Sequence, residues 1–211
     1  MNDDSPFFPC GELLLEGRWQ MPEGQGPFPA VVVCHPHPLF GGGMSSNVVL
    51  AVCQHLEERG FAAFRFNFRG VGRSQGYHGH GKDEHLDAGA ALDFVSQDSQ
   101  VDPERLGLAG YSFGAGVAFH VALKDERVRA LALISPWLKQ VESDLVRQWK
   151  HPRLLVWGAE DEFAPAATED PGRHSNADQL VMPGTDHFWV GHEDRLGEAV
   201  TTFFVTAFAE G

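Results

Sequence analysis

The sequence predicts an α/β fold in which a mostly parallel central sheet is covered by helices on both faces. Apolar runs typical of strands alternate along the chain with segments of helical spacing, a pattern that indicates a parallel sheet. One run, residues 29–34, is apolar throughout, as expected of a strand buried on both faces. With 211 residues and a hydrophobic share of 43%, the chain is predicted to form a single domain over residues 1–211.

Seven segments are predicted to be strands, because each is a short run enriched in apolar residues and bounded by turn-forming residues. In chain order they span residues 12–21, 29–34, 61–68, 106–109, 128–134, 153–157 and 179–182. The first of them is expected to give one or two exposed strands. The apolar stretch Phe7-Phe8-Pro9 before it is expected to be exposed as well, free to pack on the body of the protein or on a partner.

Four segments are predicted to be helices, because apolar residues recur in them at three- and four-residue spacing. They span residues 46–59, 83–95, 114–123 and 193–208. Gly60 is expected to end the first helix, since glycine is common just beyond a helix C-terminus. The apolar face of the last helix is expected to comprise Leu196, Val200, Phe203 and Phe204.

Composition narrows the classes of partner. The chain carries 16 Lys and Arg residues against 29 Asp and Glu residues, a formal net charge of −13, which disfavours nucleic acid and anionic membranes as partners. No signal peptide is recognisable, and no apolar run approaches the ~20 residues of a membrane-spanning helix. Cys10, Cys34 and Cys53 are expected to be buried, reduced thiols. We therefore expect a cytoplasmic protein that acts on a small molecule, as a monomer or a homodimer.

The segment Gly110-Tyr111-Ser112-Phe113-Gly114 lies between a predicted strand and a predicted helix. In this context Gly-x-Ser-x-Gly is typical of a nucleophile elbow, a sharp turn that lifts the serine hydroxyl above the sheet edge. Side chains two residues to either side of the serine would collide in such a turn, which explains both glycines. Ser112 is therefore the candidate nucleophile, if the chain also supplies an acid, a base and an oxyanion site.

A candidate acid and a candidate base follow later strands, where ligands of open α/β sheets bind. Glu160-Asp161-Glu162 follows the predicted strand 153–157, and His187 follows the last predicted strand. An isolated acidic run would be a solvated loop, but its place at a strand end favours Asp161 as the acid, with Glu162 as a competitor. With His187 as the base, the order serine, acid, histidine is that of the α/β-hydrolases.

Residues 35–43, which follow an earlier strand, are a candidate oxyanion loop, although prolines and glycines here could also form only a rigid turn. Acyl transfer requires N–H donors aimed at the developing negative charge. The N–H of Phe113 is one candidate donor. The two prolines of the loop have no N–H, so the second donor is expected to be His37, or else Leu39. The ring of His35 is expected to orient the loop.

Two further clusters are interpreted as structural. Arg69, in the glycine-containing run 67–74, is expected to fasten that loop by ion pairs or hydrogen bonds. His78, His80 and His85 are close enough in sequence to bind a divalent metal, but the surrounding glycines favour a solvated loop.

Taken together, these motifs resemble the small α/β-hydrolases, in particular the compact bacterial serine esterases and the dienelactone-hydrolase-like group. The stretches that carry the resemblance span nearly the whole chain and comprise residues 35–42, 66–74, 110–114 and 184–188. The resemblance implies an α/β-hydrolase fold with a Ser112, Asp161 and His187 triad. It also implies hydrolysis of esters or related acyl bonds, which needs neither a metal nor another cofactor.

Two departures refine what the resemblance implies. Dienelactone hydrolases have cysteine at the elbow, and Ser112 favours a carboxylesterase or thioesterase instead. Many members of the superfamily insert a large cap before the strand at 153–157, whereas only residues 136–152 precede it here. We therefore predict no large cap. The apolar spacing within residues 137–150 fits one short helix, which either packs on the core or forms a minimal lid over an acyl pocket.

Two other functions are compatible with the sequence. One is a non-catalytic binding protein with the same fold, which is disfavoured because binding alone needs no nucleophile, acid, base and oxyanion loop together. The other is a non-hydrolytic acyl-transfer or lyase reaction with the same triad. The sequence leaves the acyl chain length and the choice between oxygen and sulfur leaving groups undetermined.

Overall fold

The computed structural model describes residues 6–137, 149–163 and 178–209. The strands in these ranges form one sheet, whose members in chain order are β1 (Phe7–Cys10), β2 (Leu13–Gln20), β3 (Phe28–Cys34), β4 (Ala62–Phe66), β5 (Val101–Tyr111), β6 (Val128–Ile134), β7 (Arg153–Gly158) and β8 (Asp178–Met182). In space the order is β1-β2-β4-β3-β5-β6-β7-β8. Strand β2 runs antiparallel to β1 and β4, and all pairs from β4 to β8 are parallel.

The described helices cover both faces of the sheet. They are α1 (Asn47–Glu58), α2 (Glu84–Ser96), α3 (Phe113–Ala122) and α4 (Glu193–Ala209), together with a short 3₁₀ helix at Pro38–Phe40. Buried side chains of α1 and α4 share one apolar cluster on one face of the sheet. Those of α2 and α3 belong to a second cluster on the other face. The predicted α/β architecture is confirmed, and the α/β-hydrolase fold follows from this strand order.

The predicted helices and the interior strands lie within a few residues of the observed ones, except that β5 is longer than expected. It begins at Val101 rather than at residue 106, because Val101 pairs with Phe28 before a register shift in the ladder between β3 and β5. That pairing joins distant segments and leaves no local pattern in the sequence.

The N-terminal segment packs on the body of the protein, one of the two expected alternatives, and its expected exposure is wrong for one of its two faces. Residues Phe7–Cys10 form strand β1, in which Phe8 is fully buried. The ring of Phe8 lies 5.5 Å from that of Phe64 and 5.8 Å from that of Phe66. Leu15 of β2 is fully buried too. The alternate residues Phe7 and Leu14 are exposed, so this antiparallel hairpin closes one edge of the core.

The loop after β4 is held by ion pairs with buried carboxylates. The guanidinium of Arg69 donates to the fully buried carboxylate of Asp87 at 2.7 Å, which confirms the expected fastening role of Arg69. On its other side, Arg73 Nε donates to Glu16 Oε1 at 2.8 Å. This loop therefore has a fixed shape, set by contacts with α2 and β2.

The prediction of a solvated histidine loop is wrong for His78. Its side chain is 7% exposed, and Nδ1 lies 2.6 Å from Glu84 Oε1. Glu84 also accepts the backbone N–H groups of Gly79 and Gly81, at 2.7 and 2.8 Å, and these bonds help to lower the pKa of its carboxyl although burial acts in the opposite direction. The buried carboxylate of Glu84 therefore holds the loop of residues 78–81 against the start of α2. Among the described residues, no cluster of ligands suited to a metal ion is found.

The remaining expectations concern the cysteines, the cap region, membrane-spanning helices and the number of domains. The three cysteines are free and buried, as predicted. Only residues 135–152 separate β6 from β7, so no large cap is present. The short helix expected within residues 137–150 falls mostly on residues 138–148, outside the described residues. No described helix is long and apolar enough to cross a membrane. The single-domain organisation stays a prediction.

Candidate active site

The carboxyl ends of β5, β7 and β8 bring Ser112, Asp161 and His187 together. His187 Nε2 lies 3.0 Å from Ser112 Oγ. His187 Nδ1 lies 3.0 and 2.9 Å from the two carboxylate oxygens of Asp161. The three side chains, 75 and 26 residues apart along the chain, thus form one continuous hydrogen-bonded series.

The backbone of Ser112 is strained. Its φ of 54° and ψ of −114° lie where side-chain-bearing residues are rare. The neighbouring glycines make this turn possible. A Cβ on Gly110 would lie 2.2 Å from the carbonyl oxygen of Gly114, and a Cβ on Gly114 would lie 2.4 Å from that of Cys34. The expected collision two residues to either side of the serine is therefore present, and it involves backbone atoms that cannot move aside.

Asp161 is held as a carboxylate by its hydrogen bonds. Its side chain is only 1% exposed, and burial raises the pKa of a carboxyl. Hydrogen bonds from His187, from Ser135 and from the backbone N–H of Phe163 outweigh that effect and hold the pKa of Asp161 below its usual value. The competing candidate, Glu162, is exposed and makes no bond to His187 among the described residues.

The loop that carries His187 is anchored to the loop that carries Asp161. The N–H of Glu160 donates to the carbonyl of Thr185 at 2.9 Å, and Gly158 packs so closely there that a Cβ would lie 2.1 Å from the same oxygen. Tyr111, next to Ser112, donates its hydroxyl to the His187 carbonyl at 2.7 Å. Contacts from Tyr111 at the end of β5 and from the loop after β7 therefore position His187.

Two residues of the site, Ser135 and Trp189, were not identified from the sequence. Ser135 is fully buried, bonds to the Asp161 carboxylate and accepts a hydrogen bond from Trp189 Nε1 at 3.0 Å. Both have a positive φ, 44° for Ser135 and 63° for Trp189. Ser135 directly follows β6 at the same sheet edge, so the strand-end argument applied to β6 could have identified it.

The two candidates for the second oxyanion donor differ in their hydrogen bonds. The N–H of Leu39 donates to His37 Nδ1 at 3.2 Å, so it is already used. Within the described ranges, neither the N–H of His37 nor that of Phe113 has a hydrogen-bond acceptor. The rings of His37 and Phe113 lie 4.9 Å apart, which brings the candidate loop against the start of α3.

His35 holds the candidate oxyanion loop in place. Its ring is fully buried. Nε2 accepts the backbone N–H of Phe68 at 3.1 Å, and Nδ1 lies 2.6 Å from the Pro36 carbonyl. Burial lowers the pKa of His35 to about 4, so the neutral ring donates from Nδ1 and accepts at Nε2. Just beyond the loop, the N–H of Met44 donates to Asn67 Oδ1 at 2.8 Å, which is a second bond to the segment that follows β4.

The fold and the strand-end position of these side chains define an α/β-hydrolase. The model of the family described as serine aminopeptidase, S33, matches residues 25–155, and the chain belongs to that family.

Three similar proteins are described as serine hydrolases or as an esterase. An α/β serine hydrolase homologue from Coxiella burnetii is 33% identical, with a TM-score of 0.84 over 96% of this chain and 97% of that one. A Xanthomonas campestris α/β serine hydrolase described as lacking a lid is 28% identical, with a TM-score of 0.78 over 98% and 96% of the two chains. The esterase FrsA of an Enterobacter strain is 25% identical over 94% of this chain, which spans 45% of that longer protein.

Proposed function

We propose that this protein is a serine hydrolase that cleaves small carboxylic esters or thioesters through a Ser112, His187 and Asp161 triad. The observation that carries the proposal is the hydrogen-bonded series from Ser112 Oγ through His187 to Asp161. A hydroxyl 3.0 Å from an imidazole nitrogen, with the second nitrogen held by a buried carboxylate, is the arrangement that activates a serine nucleophile. The esterase name of one relative supports the choice of ester substrates.

The proposed reaction proceeds through an acyl-enzyme. Ser112 Oγ attacks the acyl carbon and His187 Nε2 takes the hydroxyl proton, while Asp161 stabilises the imidazolium. The negative charge on the carbonyl oxygen is stabilised by the N–H groups of Phe113 and His37. His187 then gives its proton to the leaving group, and a water activated by the same ring releases the acid.

Labelling by a fluorophosphonate probe tests the nucleophile. Wild-type protein is expected to be labelled, and Ser112→Ala is expected to abolish labelling because the phosphorus is attacked by Oγ. Labelling that persists in Ser112→Ala would contradict the assignment. Circular dichroism of the variant checks that its fold is unchanged.

Labelling and turnover assays on the same protein distinguish the proposal from two alternative functions. A non-catalytic binding protein predicts neither labelling nor turnover on a panel of p-nitrophenyl esters. A non-hydrolytic acyl-transfer enzyme predicts labelling together with faster turnover when a second alcohol or amine is added. The small-molecule partner and the cytoplasmic location stay predictions.

A further inference from the structure

The position of the leaving group follows from the proposed function, on which this inference rests. The leaving-group atom must take its proton from His187 Nε2, so the leaving group passes beside the His187 ring. The side chains around that ring therefore form the surface that the leaving group meets.

Besides the buried ring of Tyr111, two exposed aromatic rings flank His187. The ring centroid of Phe163 lies 4.9 Å from that of His187, and the ring centroid of Phe188 lies 5.7 Å from it. The two phenylalanine rings are themselves 6.3 Å apart in an edge-to-face arrangement. Phe163 is 59% exposed and Phe188 is 56% exposed, so both present apolar surface to solvent next to the histidine.

The backbone holds these exposed rings in place. The N–H of Phe163 donates to Asp161 Oδ1 at 3.0 Å, and the N–H of Phe188 donates to Asp186 Oδ1 at 2.9 Å. The carbonyl of Phe188 also accepts a hydrogen bond from the Asn47 side chain at 3.0 Å. Exposed aromatic side chains on a fixed backbone form a surface that needs little ordering when a ligand binds.

The charges on these two loops are negative. Residues 158–163 include Glu160, Asp161 and Glu162, residues 183–192 include Asp186, and neither segment contains a lysine or arginine. Glu160 and Glu162 are exposed. The exposed carboxylates of Glu160 and Glu162 would repel an anionic leaving group.

We propose that Phe163 and Phe188 form a leaving-group subsite for neutral apolar groups, preferably aromatic ones. The subsite favours esters of uncharged aromatic alcohols. It disfavours esters and thioesters whose leaving group carries carboxylates or phosphates. Aromatic stacking gives the preference, and the acidic loops give the exclusion.

Three acetate esters with the same acyl group test the subsite. Methyl acetate and benzyl acetate release alcohols of similar acidity, so that ring contact is the main difference between them. The acetate ester of 4-(hydroxymethyl)benzoate adds one negative charge to the benzyl group. We expect kcat/KM to be highest for benzyl acetate and to fall when the carboxylate is present.

Single alanine variants assign the effect to the two rings. Phe163→Ala and Phe188→Ala are each expected to lower kcat/KM for benzyl acetate by about five-fold. This is the loss expected when one contact between two aromatic rings is removed. Methyl acetate is expected to change less than two-fold. Tyr77→Ala removes another exposed aromatic ring, from the loop after β4, and serves as the matched control with no change in either ester.

The outcomes separate this inference from the proposed function. An equal loss on methyl and benzyl acetate in both variants would overturn the subsite, and so would equal turnover of the charged and neutral benzyl esters. Failure of wild-type protein to react with the fluorophosphonate probe would instead overturn the proposed function.

Discussion

At the scale of single residues, the site depends on which carboxylate holds His187. Asp161 is buried, accepts hydrogen bonds from three groups and has a lowered pKa. Glu162 is its neighbour in sequence but lies in solvent. Only the buried carboxylate has the fixed geometry that orients an imidazole ring and stabilises its charged form.

Asp161→Asn is expected to lower kcat by ~10⁴-fold, because an amide stabilises the wrong tautomer of His187. Glu162→Gln is the matched control, with kcat expected within a factor of about two, since an exposed charge contributes little. The measurement is steady-state turnover of an activated ester. If the larger loss came from Glu162→Gln, the acid would have been misassigned.

Ser135 links Asp161 to Trp189. Ser135→Ala is expected to lower the free energy of unfolding by ~1–3 kcal/mol, because it leaves the buried Nε1 of Trp189 without an acceptor. Urea denaturation measures the change. In the Ser135→Ala/Trp189→Phe double variant the donor is gone, so the two losses are expected to be less than additive. Strict additivity would show that the bond contributes nothing.

At the scale of elements, the close packing between β5 and α3 sets the position of Ser112, the proposed nucleophile. Gly110 at the end of the strand and Gly114 in the helix approach each other so closely that a methyl group on Gly110 would overlap backbone. Strand, turn and helix therefore behave as one rigid unit, and the strain at Ser112 is maintained by packing on both sides.

Gly110→Ala is expected to destabilise the fold by ~1–3 kcal/mol through overpacking, and to lower turnover by moving Ser112. Gly89→Ala in α2 is the matched control. Nothing lies within 4 Å of the added Cβ there, so it is expected to stabilise the helix by ~0.5–1 kcal/mol. Thermal denaturation of both variants measures these changes. A harmless Gly110→Ala would contradict the close approach.

At the scale of the whole molecule, several buried groups couple stability to pH in the same direction. The pKa of His35 is lowered to about 4 from 6.5, mainly by burial. The pKa values of Glu16, Glu84 and Asp161 are also lowered, because their hydrogen bonds and neighbouring charges outweigh the effect of burial. In each case the unfolded chain binds the proton more readily than the folded one, so acid favours unfolding.

The contribution of His35 to stability is therefore expected to be fully present above pH 6.5 and to be lost as pH falls from 6.5 towards about 4. The full shift corresponds to about 3 kcal/mol. Urea denaturation at pH 7 and at pH 4.5 measures it. In His35→Gln, which cannot titrate, the loss over this interval is expected to be smaller. An unchanged pH dependence would show that His35 is not the group responsible.

The sequence by itself determined the local structure and the order of the candidate catalytic residues along the chain. Hydrophobic periodicity is a local property, so the helices and the interior strands were predictable to within a few residues. The strand-end positions of Ser112, Asp161 and His187 were predictable for the same reason, because each follows an apolar run that is recognisable without its neighbours in space.

The tertiary structure decided what depends on contacts between distant segments. It buried Phe8 against Phe64, and it paired His78 with Glu84. It also showed that Leu39 has no free N–H, because His37 accepts it. Ser135 lies beside Asp161 only because β6 and β7 are neighbours in the sheet. Burial and hydrogen bonding of this kind are set by packing across the sheet, and neither composition nor spacing along the chain encodes them directly.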